Sequence, residues 1–174
     1  MPDMIRALGY VKKSAARVNA DLGVIDRKRA GAIILACEDL IAGKLHEQFV
    51  VDVIQGGAGT STNMNANEVI ANLALEKMGH EKGRYDVLHP NDHVNASQST
   101  NDVYPTATRL ALWFAIGRLI DSMAFLRRGF EAKAEEFKSV LKIGRTQLQD
   151  AVPMTLGQEF STYAVMIGED EARL

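Results

Sequence analysis

The sequence predicts an all-α protein, a helical domain followed by long helices of the kind that pack in a bundle. Apolar residues recur at spacings of three and four in several separate stretches, the period of a helix with one buried stripe. The β-branched run VVDVIQ is too short and too isolated to build a sheet. With 174 residues and 47% hydrophobic content, the chain can bury the core of one domain or of the incomplete parts of two. The division expected is residues 1–100, a helical domain, and 101–174, the truncated beginning of a long-helix bundle.

Met4, Leu8, Val11, Ala15 and Val18 mark one stripe of a first helix through MIRALGYVKKSAARVNADLG. Asp26 is placed to cap a second, in which Ala30, Ile33, Ile34, Cys37, Leu40 and Ile41 repeat the helical spacing until Gly43. VVDVIQ and the glycine-rich GGAGTST read as extended connection. Asn63 or Asn65 is expected to cap a third helix through NEVIANLALEKM, stopped at Gly79. A polar stretch of loop composition, GHEKGRYDVLHPNDHVNASQSTND, follows.

After Asp102 the pattern is apolar on nearly every face through LALWFAI, then narrows to a seam of Leu119, Met123, Leu126, Phe130 and Phe137. Such a helix is expected to start deep in the protein and end at its edge, over about 30 residues or about 45 Å. A last helix is expected to begin near Pro153, with Leu156, Phe160, Tyr163 and Ile167 on one face, and to run on past Leu174.

Twenty basic residues against 22 acidic ones give a net charge of -2, which supplies no field to attract nucleic acid or an anionic membrane. The single cysteine, Cys37, excludes an internal disulfide, and its place on an apolar stripe reads as a buried inert thiol. No apolar run approaches the roughly 20 residues that span a bilayer, and MPDMIRALGY lacks the basic start and apolar centre of a signal peptide. A cytoplasmic protein acting on a small molecule is the expectation.

Three segments concentrate hydroxyls and amides: GGAGTSTNMNANE at 56–68, HPNDHVNASQSTND at 89–102 and GRTQLQDAVP at 144–153. The first two stand just ahead of helical patterns, where unpaired backbone N–H groups and the helix dipole favour an anion such as a carboxylate. Capping and turn formation account for one such side chain per helix. They do not account for Thr60, Ser61, Thr62, Asn63 and Asn65 together, or for Gln98, Ser99, Thr100 and Asn101. GGAGTST lacks the Lys-Ser/Thr ending of a phosphate loop. His89 and His93 are four apart, but Pro90 and Asn91 between them indicate a turn, so no metal is expected.

At these segments the chain resembles the aspartase and fumarase superfamily, whose hallmarks are GTSxNMNxNE, HPNDHVN with a following S-T/S-N-D, and GRTxxQDAVPxTLGQE. Here they read GTSTNMNANE, HPNDHVNASQSTND and GRTQLQDAVPMTLGQE. Gln147, where fumarases have His, and QGGAGTSTNMN resemble the aspartase branch. The resemblance implies elimination of ammonia from L-aspartate to give fumarate, an anti elimination through a carboxylate-stabilised carbanion. No cofactor is implied.

By the same resemblance, Thr60, Ser99 and Thr100 hold the carboxylate next to the departing proton, Asn101 binds the amino group, and Thr146 with Gln147 contacts the other carboxylate. His89, Asn91 and Asp92 resemble a secondary anion site of fumarases. The family's general base is a serine in a GSSxMPxKxNP loop that these 174 residues do not contain. In the family three segments from three subunits of a homotetramer complete each site, so the chain alone is expected to be inactive. The alternatives are fumarate hydratase or another lyase of the superfamily, and a non-catalytic helical fragment that only assembles.

Overall fold

The computed structural model describes residues 2–54 and 57–174. Gln55 and Gly56, which belong to the predicted extended connection and the first polar segment, lie outside the described residues. The chain divides into two compact units, Met1–Trp113 and Phe114–Leu174.

In the first unit, α1 (Pro2–Asp21) packs against α2 (Arg27–Ile41). The two helices approach closely at Gly9, where a Cβ would stand 2.9 Å from Ile41 Cγ1 and 3.3 Å from the Cys37 carbonyl oxygen. Asp26 caps α2 as expected, accepting the Lys28 and Arg29 backbone N–H groups at 3.0 Å each. Ile33, Cys37 and Leu40 are completely buried, together with Ile70, Ala71, Ala74 and Leu75 of α3 (Thr60–Lys77). This cluster is the core of the unit.

Two expectations need correction here. The α1 stripe holds only at its start: Val18 is 55% exposed, and the buried line runs instead through Leu8, Lys12, Ala16 and Asn19. Two polar side chains turn inward because partners await them, Asn95 for Lys12 and the Ala96 carbonyl for Asn19, each at 2.8 Å. Nor does either asparagine cap α3, which starts earlier, at Thr60, behind Gly59 in the left-handed region (φ 85°). Asn63 is buried inside the helix, and Asn65 stitches the preceding connection to its flank, accepting from Val50 N at 3.1 Å and donating to the Gln48 carbonyl at 3.1 Å.

The polar stretch after Gly79 is a series of turns with one π-helical turn, Pro90–Val94. α4 then runs from Thr100 to Glu136, 37 residues, starting two residues ahead of the predicted boundary. Its all-apolar portion does not lie deep in this chain, because Leu112 is 54% and Trp113 70% exposed.

In the second unit, the later part of α4 is followed by an antiparallel hairpin of β1 (Leu141–Thr146) and β2 (Gln149–Thr155), then by α5 (Leu156–Arg173). Among the described residues, the regular structure is helical apart from this hairpin. Pro153 belongs to β2, opposite Ile143, so the last helix starts three residues later than predicted. Thr155 and Gln158 form a reciprocal capping box there, with Gln158 N to Thr155 Oγ1 at 3.1 Å and Thr155 N to Gln158 Oε1 at 2.9 Å. Phe130, Phe137, Phe160 and Tyr163 stack at centroid distances of 5.5 to 6.1 Å. Among the described residues, no helix is long and apolar enough to cross a membrane.

Candidate active site

Two long helices begin side by side in the first unit. Gly59, immediately ahead of α3, lies against the ring of Tyr104 in α4, so closely that a Cβ there would stand 2.3 Å from Tyr104 Cδ2. One turn into α3, Asn63 Nδ2 donates to the hydroxyl oxygen of Thr100 at 3.0 Å. The mouths of α3 and α4 are thereby held together, and the positive ends of the two helix dipoles lie side by side.

Around these mouths stand the residues expected from sequence. Thr60 is the first residue of α3 and is exposed; Thr100 is the first of α4 and is half-buried. Ser99, also exposed, accepts the Asn101 N–H at 3.2 Å, and its carbonyl receives the N–H groups of Asp102 and Val103 at 3.0 Å. Asn101 faces solvent. Because the Thr100 oxygen already accepts from Asn63, its own hydrogen is free to point to an outside acceptor. Hydroxyls and helix N-termini at one place suit a carboxylate.

Beneath them lies a buried polar cluster that the sequence reading did not identify. Asn95 Oδ1 receives Lys12 Nζ at 2.8 Å and the side-chain amides of Asn63 and Asn67 at 3.2 Å each. Asn95 Nδ2 in turn donates to the Gln98 carbonyl at 3.0 Å. Lys12, Asn63 and Asn67 are all 0% exposed. Burial pulls the lysine down from its usual 10.5 to about 7, opposed by the nearby Cys37 sulfur. The same burial pushes the Cys37 thiol up to about 12, so it is a core thiol without nucleophilic character. The spacing of Asn63 and Asn67, four apart on one helix face, was the available signal for this cluster.

Asn91 and Asp92 lie on the π-helical turn, and His89 stands immediately ahead of it. His89 Nδ1 accepts the N–H groups of Asn91 and Asp92 at 3.2 and 3.3 Å, capping that turn. The 3.5 Å approach of Asp92 to the same nitrogen is therefore not an ion pair in this arrangement, since Nδ1 acts as acceptor. His93, half-buried, accepts from the His89 backbone N–H at 2.8 Å, and burial lowers its proton affinity. Among the described residues, no group of three or more His, Cys, Asp or Glu is arranged to hold a metal ion.

Thr146 and Gln147 belong to the second unit, at the tip of the hairpin. Thr146 ends β1, and Gln147 and Leu148 form the two-residue turn with φ of 46° and 63°, both in the left-handed region. All three are exposed, and Arg145 pairs with Asp150 at 3.0 Å across the ladder below them. A groove of about 860 Å³ also lies in this unit, along α4 and α5. Its charges are internally matched, Arg127 by Glu131 at 2.8 Å and Glu171 at 3.1 Å, and it holds none of the predicted site residues.

Helical architecture and neutral donors gathered at helix mouths define a helical protein with a candidate carboxylate-binding site. The sequence pattern of the lyase family matches residues 2–174, and the chain belongs to that family. It is 62% identical over 169 residues, 97% of its own length, to the aspartate ammonia-lyase of Helicobacter pylori. It spans 36% of the length of that protein. Among solved structures it is similar to the fumarate lyase:delta crystallin of Brucella melitensis, with a TM-score of 0.94 and 59% identity over 99% of this chain and 40% of that one. A class II fumarase from Schistosoma mansoni matches with a TM-score of 0.87 and 37% identity, over 99% of this chain and 36% of that one.

Proposed function

We propose that this chain is part of an ammonia-lyase that converts L-aspartate to fumarate and ammonia, and that it contributes the carboxylate-binding donors. The observation that carries the reading is the pair of helix mouths, where Asn63 leaves the Thr100 hydroxyl as an outward donor beside Thr60 and Ser99. The aspartate branch is favoured over hydration of fumarate by Gln147 and by 62% identity to an ammonia-lyase against 37% to a fumarase.

Eliminating ammonia removes a weakly acidic proton from the carbon beside a carboxylate, and the dianion that forms needs donors already in place. In this reading Thr60, Ser99 and Thr100 hold that carboxylate as its charge grows, Asn101 holds the departing amine, and Thr146 with Gln147 grips the other carboxylate. Gln147 carries no titratable proton, so it binds and does not transfer. His89, Asn91 and Asp92 form a secondary anion site. The base comes from outside these 174 residues.

Residues 1–100 then belong to an amino-terminal domain and 101–174 to a long-helix bundle. The working enzyme is a cytoplasmic homotetramer with sites shared between subunits, the hairpin tip serving a neighbour. A full-length subunit, this chain joined to the remaining length its relatives carry, is expected to form fumarate from aspartate, read by its ultraviolet absorbance; the 174-residue chain alone forms none. Thr100→Ala in the full-length subunit lowers kcat by about 10²-fold. Activity on malate in place of aspartate, or fumarate production by the isolated chain, overturns the proposal.

A further inference from the structure

A completely buried ammonium with a neutral acceptor calls for an explanation. Lys12 Nζ donates to Asn95 Oδ1 at 2.8 Å, and among the described residues no carboxylate pairs with it. For stability alone an apolar side chain of similar volume serves better at such a position. The surroundings are equally costly to fold: Asn63 Oδ1, Asn67 Oδ1 and Gln98 Oε1 are buried with no donor among the described residues, each at about 1–3 kcal/mol. This expense is concentrated directly beneath Thr100.

The geometry explains what the lysine does there. Asn95 must present its oxygen to three donors at once, and its Nδ2 must reach the Gln98 carbonyl. If the carboxamide turned over, it would set its NH2 group against the ammonium and against the amides of Asn63 and Asn67, donor facing donor. Lys12 opposes that turn most strongly while it carries its proton. With Asn95 held, one Asn63 hydrogen is directed to Asn95 and the other to Thr100 Oγ1. With one lone pair fixed on Asn63, the Thr100 hydroxyl hydrogen is directed away from that amide, toward the mouth of the helix.

We propose that Lys12 is a positioning residue for the dicarboxylate site, locking the Asn95 carboxamide so that Asn63 holds the Thr100 hydroxyl hydrogen turned out toward the bound carboxylate. The inference rests on the ammonia-lyase reading above and assigns it a support on α1, far from Thr100 in sequence. The lowered proton affinity of Lys12 agrees with a cation that lacks a counter-charge.

The test is a double-mutant cycle in the full-length subunit, with Lys12→Met, Thr100→Ala and the pair. Lys12→Met is expected to lower kcat by about tenfold or more, as misplacing a transition-state donor does. KM should move by less than about threefold, since the interaction matters most when charge peaks. In the Thr100→Ala background the same substitution adds no further loss, because the group it positions is gone. A purely structural Lys12 gives losses that multiply, or a KM change with kcat preserved, and either result overturns the proposal. If Lys12→Met does not fold, Asn63→Leu cuts the same link beyond the lysine and is expected to reproduce the fall in kcat; an unchanged kcat sinks the idea. An unmodified subunit inactive on aspartate refutes the ammonia-lyase reading, whereas an active one with multiplying losses refutes the role of Lys12 alone.

Discussion

The two units are built on different plans. Met1–Trp113 has a dry core of Ile33, Cys37, Leu40, Ile70 and Leu75, all fully buried, beside a buried polar cluster gathered on Asn95. In Phe114–Leu174, Ala164 is the one buried apolar side chain among the described residues, while Phe125 is 74%, Val165 58% and Met166 56% exposed. That unit holds its order through local devices: a hairpin, a capping box, four stacked rings and ion pairs along two helices. The difference teaches that helical periodicity reports which face is apolar but not whether the same chain covers it. In the first unit the covering is internal, and in the second the apolar faces are left open.

The largest expected effect tests this contrast directly. Leu75→Ala opens a cavity in the first core and is expected to destabilise the chain by about 2–5 kcal/mol, read from urea unfolding followed by circular dichroism. Phe125→Ala removes a larger side chain but mostly from solvent, and its cost is expected to stay within about 0.5 kcal/mol. Equal losses at the two positions would show that the second unit is as closely packed as the first.

A pH series separates the units a second way. Lys12 binds its proton more weakly folded, at about 7, than unfolded, near 10.5, so between these values the unfolded chain carries more proton. The penalty for burying the charge is full below about pH 7 and fades as pH rises, so stability climbs through that window. Cys37 acts in the opposite direction, but only above pH 9, where an unfolded thiol ionises and the folded one, at about 12, does not. The lowered carboxyls of Asp26 and Asp39 and the lowered His93 titrate below the window, and Tyr85 above it. The shifted groups of the second unit, Arg127, Lys138 and Glu159, also lie outside it. The urea midpoint of the chain is therefore expected to rise between pH 7 and 9, and Lys12→Met to flatten that rise. A slope that survives the substitution assigns it to another group.

What could be read in advance follows the same division. The α2 stripe and its Asp26 cap were legible because they depend on neighbours three or four residues away. The α1 face was not, since Lys12 and Asn19 turn inward toward partners 83 and 77 residues later. The hairpin was hidden by its turn, where Gln147 and Leu148 occupy positions that Asn and Gly usually mark. At the helix mouths the excess of hydroxyls and amides showed Thr60, Ser99 and Thr100 as candidates. Of the asparagines beneath, Asn63 reads from the sequence as a candidate cap, and its spacing from Asn67 is the one local sign that both share a buried face.

The smallest expected effect uses one backbone conformation that occurs in both units. Leu45 has φ 60° and Leu148 φ 63°, each a leucine in the left-handed region that glycine adopts without strain. Leu45 packs against the first core, whereas Leu148 is 98% exposed at the hairpin tip. For Leu148→Gly only the strain is relieved, against the greater freedom glycine gives the unfolded chain, so stability is expected to rise by a few tenths to about 1 kcal/mol. Leu45→Gly relieves the same strain but strips apolar packing worth more, and is expected to lower stability by about 1–3 kcal/mol. Opposite signs from one substitution in one backbone geometry, measured by urea unfolding, would locate the difference between the units in the packing around each residue. A stabilising Leu45→Gly would show that the first core gains little from the loop that follows α2.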